Sequence, residues 1–229
     1  MSKASLSPRQ MQRIAIGRLL AAAPIIGAIF FLPAGTLRYW EAWVYLAVLF
    51  IPLSAFAVYL LRYNPALLER RLKMREVEPE QKRAIALLTV ILFGAFLVPG
   101  FDRRFEWSSV PAWLVIAADA ACLLGYLLFF LTLRKNEYAG RTIEVEQRQS
   151  VITTGPYALV RHPMYLAFTL IFGSSPLALG SYWALIPMAL FPIGLIPRIL
   201  NEEQVLHREL EGYTDYSKKV RYRLIPGIW

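Results

Sequence analysis

Residues 40–61 read WEAWVYLAVLFIPLSAFAVYLL, with a single charge, Glu41. As a helix, a run of that length extends about 33 Å and crosses the ~30 Å hydrocarbon core of a bilayer. Five further apolar runs fall at Ile14–Pro33, Ala84–Gly100, Val110–Leu133, Met164–Leu179 and Tyr182–Leu200. One such run fits a soluble core helix; six in one chain do not. The last two are short and flank Gly180-Ser181, so they predict a tight helical hairpin. The expected fold is all-α, a polytopic membrane protein of about six transmembrane helices.

Composition agrees. Hydrophobic residues make up 57% of the 229 positions, above the globular norm of about 45–50%, and mean hydropathy is +0.44. Disorder is excluded by that apolar content. A single cysteine, Cys122, excludes a disulfide scaffold and a cysteine metal site. With His162 and His207 the only histidines, no metal is expected.

The net charge of +9 is a matter of topology. Of 25 Lys and Arg, 22 lie in four segments: the N-terminus through Arg18, then 62–83, 134–163 and 198–229. The alternate loops hold Arg38, Arg103 and Arg104. The positive-inside rule puts the four basic segments and both termini in the cytoplasm. Contact with anionic membrane lipid follows, and nucleic-acid binding does not. The first run is too long for a signal h-region and reads as a retained anchor. No linker divides the chain, so 1–229 is read as one membrane domain. Four helices fill 1–133, and 134–229 carries the polar insertion and the hairpin. Within it, residues 142–146 alternate and suggest a short strand or extended loop. The basic segment 62–83 reads as a solvated amphipathic loop, with lipid-headgroup contact as the alternative.

Two polar segments border these apolar walls: Gln149 through Tyr165, and Arg198 through Glu203. The hairpin's two helices start and finish on one side, which brings the segments together at the cytoplasmic interface. Gly155-Pro156 signals a turn. Pro163 fits a first helical turn, which makes His162 the residue at or near the N-cap. Unpaired N–H groups there favour a carboxylate or another acceptor. Tyr157 and Tyr165 offer aromatic faces to a purine or a cation. Arg198 and Glu202 share a helix face. They form either an intrahelical ion pair or a ligand grip, with Arg198 holding an anion and Glu202 accepting from hydroxyls or an ammonium. Glu203 turns to another face and is expected in solvent. His162 alone reads as an interfacial hydrogen-bonder or a catalyst.

The order Gly155-Pro-Tyr157, Arg161-His-Pro-Met-Tyr165, Arg198-x-x-x-Glu202-Glu203, Tyr213-x-x-Tyr216, Val220-Arg221 and Ile225-Pro226 resembles the isoprenylcysteine carboxyl methyltransferase family. That family lies within a wider set of integral-membrane methyltransferases that includes phospholipid methyltransferases. The resemblance covers about residues 130–229. It implies S-adenosylmethionine as cofactor, enclosed by the segment before the hairpin and the helix after it. By the same resemblance Gln149, Ser150, Val151, Ile152, Tyr157, His162, Pro163, Met164 and Tyr165 line the pocket. Glu202 binds the cofactor from the other side, and Arg198 orients the substrate carboxylate. Three features depart from the family: Ala167 stands where glycine is usual, Gln149 where histidine is common, and the aromatic-Gly pair that often precedes the paired tyrosines is not kept, although Leu210 and Gly212 are close by.

The reading is therefore of an enzyme moving a methyl group to a lipophilic acceptor that enters sideways from the bilayer. A carboxylate such as a prenylcysteine-like C-terminus fits, being ionised at pH 7 and needing no base. A phospholipid amine needs a base, for which Glu203 or His162 is available, and a thiol needs its pKa lowered. Competing classes are a sterol-type NADPH-dependent membrane reductase and a non-enzymatic scaffold. Outside the motifs, Asp119 inside the fourth run is a functional acid or a polar helix contact. Trp40, Trp43, Trp183 and Trp229 suit interfacial anchoring. Pro187, Pro192 and Pro197 imply kinks. Tyr213 and Tyr216 read as packing.

Overall fold

The computed structural model describes residues 6–73, 79–136, 138 and 149–229. The described residues are helical, without strands: α1 Pro8–Ala34, α2 Trp40–Tyr63, α3 Pro65–Lys73, α4 Pro79–Phe105, α5 Ala112–Lys135, α6 Pro163–Ala178, α7 Leu185–Met188, α8 Leu190–Glu209 and α9 Tyr213–Lys219. A 3-10 turn, Gly155–Ala158, precedes α6. Residues 142–146 lie outside the described residues.

Local chemistry sets the boundaries. Ser7 and Gln10 form a reciprocal capping box before Pro8, and Gly35, at φ 66°, closes α1. α1, α2, α4, α5 and the pair α7–α8 are long and apolar enough to cross a membrane, whereas α6 has only 16 residues. The outward faces are apolar: Leu20 and Val90 are each 70% exposed. A water-soluble bundle does not turn such residues outward on every helix; lipid is the solvent that accepts them.

The hairpin forms as expected, with Gly180 at φ 72° in the turn. Its second arm is not one kinked helix. It breaks at Ala189 into α7 and α8, because Pro192 has no N–H to give the Met188 carbonyl. α8 also continues past Leu200 to Glu209, which carries the acidic pair onto a rigid element. The segment 62–83 is likewise not simply a solvated loop. Pro65–Lys73 is helical, with Leu67 and Leu68 buried in the core.

Two close approaches set the spacing. A Cβ on Gly100 of α4 would lie 2.7 Å from the Phe30 carbonyl of α1. A Cβ on Gly125 of α5 would lie 2.7 Å from Ile171 and 3.0 Å from the Ala167 carbonyl of α6. Ala167 itself is fully buried. The family's missing glycine is thus matched by one on the facing helix.

The bundle has two differentiated ends. Met11, Leu60, Leu67, Leu133 and Ala167 form a core cluster at one end, the end where the four basic segments gather. Phe30, Tyr39, Tyr45, Cys122 and Leu179 form another at the opposite end. There Asp102, 1% exposed, ties α4 to the hairpin turn. It accepts from Ser108 N at 2.7 Å, from Ser108 Oγ at 2.6 Å and from the Ser181 hydroxyl.

Candidate active site

The α6 N-terminus and the far end of α8 meet at the basic end, as the hairpin topology requires. His162 is the N-cap of α6 and Pro163 its first residue. The chain before it is pinned from outside: Arg161 N–H and His162 N–H donate to the Tyr222 and Arg223 carbonyls, both at 2.9 Å. The C-terminal tail therefore forms part of the site's frame.

Tyr165 is the junction. Its hydroxyl donates to Glu202 Oε2 at 2.5 Å and accepts from Arg198 Nε at 2.9 Å. The Arg198 guanidinium also stands over the Tyr165 ring, 6.0 Å from its centroid. One buried phenol thus holds both members of the pair that the sequence leaves as either ion pair or ligand grip. Glu202 keeps a side-chain exposure of 23%, so part of its carboxylate faces outward. His162 Nδ1 is 3.9 Å from Glu202 Oε1.

Glu203 overturns its expected place in solvent. It is 4% exposed. Its Oε1 lies 3.1 Å from Arg161 Nε and 3.3 Å from His162 Nε2, and its Oε2 accepts from Arg223 Nε at 2.7 Å. A buried carboxylate needs such partners to offset its lost hydration. The reason is geometric: α8 points this face at the α6 entry and the tail, where two arginines and the His162 imidazole converge. Arg161 and Arg223 are the residues that sequence reasoning missed in this role. Their signal was a surplus of arginines around one glutamate that helical spacing alone assigned to water.

Tyr157 occupies a neighbouring position in the 3-10 turn. Its hydroxyl accepts from Asn136 Nδ2, the α5 C-cap residue, at 2.8 Å. Its carbonyl accepts from the Tyr216 hydroxyl at 2.7 Å. Burial, reinforced by the Glu202 charge, pushes the Tyr157 phenol up to about 12, against relief from Asn136 and Arg71. Tyr213 and Tyr216 are buried with Leu210 and Val151, and burial raises both phenols. They are packing residues, as read.

The other expected wall residues divide. Met164 is half-buried and packs on the α5 side of α6, and Pro163 is buried. Val151 packs against the α9 cluster rather than towards His162. Gln149 and Ile152 are half-buried and Ser150 is exposed. Asp119, 5% exposed, lies in the first half of α5, away from this end, and its two carboxylate oxygens meet no partner among the described residues. Trp40, Trp43 and Trp183 face outward near helix ends. Trp229 is half-buried instead, with the Arg223 guanidinium 5.4 Å from its ring centroid.

A family model described as phospholipid methyltransferase matches residues 113–211. That segment runs from α5 past the end of α8 and contains His162, Tyr165, Arg198, Glu202 and Glu203. The structure of the eukaryotic intramembrane Ras methyltransferase ICMT, an isoprenylcysteine carboxyl methyltransferase, is similar with a TM-score of 0.54 and 16% identity, over 98% of this chain and 99% of that one. No curated protein matches the sequence. At that identity the structural likeness establishes the fold, and the motif-bearing segment carries the family match. The two together support an integral-membrane methyltransferase.

Proposed function

We propose that this protein transfers a methyl group from S-adenosylmethionine to a lipophilic carboxylate at the polar end of the bundle, facing the cytoplasm. The observation that carries the reading is the Arg198–Tyr165–Glu202 chain of hydrogen bonds beside the His162 N-cap.

The donor set fits this cofactor. Its amino-acid end and ribose need an acceptor, and Glu202 offers a carboxylate oriented by one phenol and still partly exposed. Its carboxylate suits the positive end of the α6 dipole, with His162, Met164 and Tyr165 as the wall. Tyr157 presents a neutral ring, its phenol held protonated at any physiological pH. Gln149, Ser150, Val151 and Ile152 complete the wall on the side of the 134–163 insertion. Val151, with its side chain engaged elsewhere, contributes through backbone.

When bound, S-adenosylmethionine supplies a methyl group on a positively charged sulfur. Arg198 has its Nε fixed by Tyr165 and orients the acceptor carboxylate by charge-assisted hydrogen bonds without protonating it. A carboxylate is ionised at neutral pH, so no residue must remove a proton. The protein's contribution is alignment and exclusion of water, and alignment supplies up to about 7–11 kcal/mol in favourable cases.

The family match to phospholipid methyltransferases favours a second reading, an amine acceptor. That reaction needs a base. Glu203 is poorly placed for it, with its oxygens occupied by Arg161, His162 and Arg223, which leaves His162.

Calorimetry with S-adenosylhomocysteine tests the cofactor. Saturable binding by the wild type, weakened by Glu202→Ala and His162→Ala, is expected. No binding by folded wild type overturns the proposal, and NADPH binding in its place selects the reductase reading. Methyl transfer to a prenylcysteine analogue that survives Arg198→Ala unchanged would remove Arg198 from its role.

A further inference from the structure

Beneath α3, the basic end of the bundle holds a cavity of about 290 Å³ on the side of α6 away from Arg198. Leu19 of α1, Leu53, Phe56 and Leu60 of α2 and Phe129 of α5 line it. Leu53 and Leu60 stand seven positions apart on α2, so the cavity reaches about 10 Å along the helices, roughly a third of a hydrocarbon core. Its walls are apolar except at one end, where Arg18 and Arg71 line it together.

Those two arginines are positioned by the fold. Arg18 Nη2 donates to the Leu72 carbonyl at 2.8 Å, which fixes it against the C-terminal end of α3. The Arg71 guanidinium stands 5.1 Å from the Phe129 ring centroid. α3 buries Leu67 and Leu68 in the core cluster at the basic end of the bundle, and basic charge suits the depth at which anionic headgroups meet acyl chains. An apolar slot ending in two guanidinium groups at that depth matches one chemistry: a hydrocarbon chain with an anionic phosphate at its head. The cation pair argues against a zwitterionic lipid, and the apolar walls argue against a soluble phosphate.

We propose that this cavity binds one acyl chain of an anionic phospholipid from the adjoining leaflet, with the phosphate held by Arg18 and Arg71. The site is distinct from the proposed methyl-transfer site, which lies across α6 at Arg198 and Glu202. Phe129 and Arg71 connect the two: the Phe129 ring lies 5.3 Å from that of Phe168 on α6, and the Arg71 charge reaches the Tyr157 phenol. Lipid in the cavity therefore holds α3 against the wall of the cofactor site.

Native mass spectrometry of the full-length protein, released from detergent with phosphatidylglycerol and phosphatidylcholine of identical chains, tests this without any assay of methyl transfer. The wild type should retain one phosphatidylglycerol in preference to phosphatidylcholine by about tenfold or more, as two arginines facing an anionic headgroup predict. The double substitution Arg18→Gln/Arg71→Gln should bring the two lipids to parity. Ala57→Phe, which fills the apolar part, should reduce both. Arg13→Gln, on the exposed face of α1, should change nothing. Helical circular dichroism and monodisperse elution verify folding, and either single arginine substitution stands in if the double variant misfolds. Parity in the wild type, preference surviving loss of the arginines, or retention unaffected by Ala57→Phe would each overturn the proposal.

Discussion

Each end of the bundle is organised by a buried carboxylate, and the two are satisfied in opposite ways. Asp102 takes its hydrogen bonds from neutral donors, two serine hydroxyls and one backbone N–H, all in the turns that close that end. Glu203 takes its partners from two guanidinium groups, Arg161 and Arg223, and the His162 imidazole, and it has a second carboxylate beside it that stays partly exposed. A carboxylate serving only architecture can be sealed by neutral donors. A site that must hold a charged ligand needs surplus cations and an acceptor with spare capacity. Glu203 supplies the frame, and Glu202, held by Tyr165, keeps part of its carboxylate exposed for the proposed ligand.

Substitution should separate the two ends most at Glu203. Glu203→Ala strands the buried Arg161 without its counter-charge, and removing one partner of a buried ion pair costs about 3–5 kcal/mol. Thermal unfolding should show the largest drop of any single change at this end, together with loss of S-adenosylhomocysteine binding. A variant that keeps wild-type stability would mean that the arginines find other partners and that the Glu203 cluster is not the frame.

Asp102→Ala comes next. It leaves the Ser108 and Ser181 hydroxyls and one backbone N–H short of an acceptor, at about 1–3 kcal/mol for each group left buried and unsatisfied. Some recover by turning to water at the loop, so a drop smaller than that of Glu203→Ala is expected. Cofactor affinity at the far end should be unchanged in the folded fraction. Reduced affinity would show that the two ends are coupled.

Tyr165→Phe keeps the ring and removes the hydroxyl that joins Arg198 to Glu202. Stability should fall by about 1 kcal/mol, the usual worth of one such hydrogen bond. S-adenosylhomocysteine affinity should fall by about tenfold, the equivalent of ~1.4 kcal/mol. An affinity equal to wild type would mean that Glu202 is positioned by other groups.

Much of this was legible in the sequence. The apolar runs, the charge asymmetry and Gly180-Ser181 predict the bundle, its two ends and the hairpin, because length, charge and turn chemistry act locally. His162 as N-cap follows from Pro163 alone. What was not legible depends on long-range contact. Glu203 is buried because Tyr222 and Arg223 return to the α6 entry, and nothing near position 203 announces that. The Tyr165 bridge needs α6 and α8 at a set rotation, which helical spacing within either one does not give. The break at Ala189 could be read from Pro192, but the depth to which α8 continues could not.

Tyr157→Phe should have the smallest effect and sharpen the comparison at its edge. The change removes one acceptor, the oxygen that Asn136 binds, and at neutral pH it should cost about 0.5–1.5 kcal/mol. The informative axis is pH. The Tyr157 phenol is raised from the ordinary 10 to about 12, so the folded state holds this proton more tightly than the unfolded one. Its contribution is then fully present below pH 10 and is lost as pH rises towards 12. Tyr213 and Tyr216 are also raised by burial, so the wild type should lose stability steeply on that alkaline limb. Tyr157→Phe should make the limb shallower without abolishing it. An unchanged limb would mean that Tyr157 ionises as freely in the folded protein as in water. The ring would then be open to solvent rather than part of a closed wall facing Glu202.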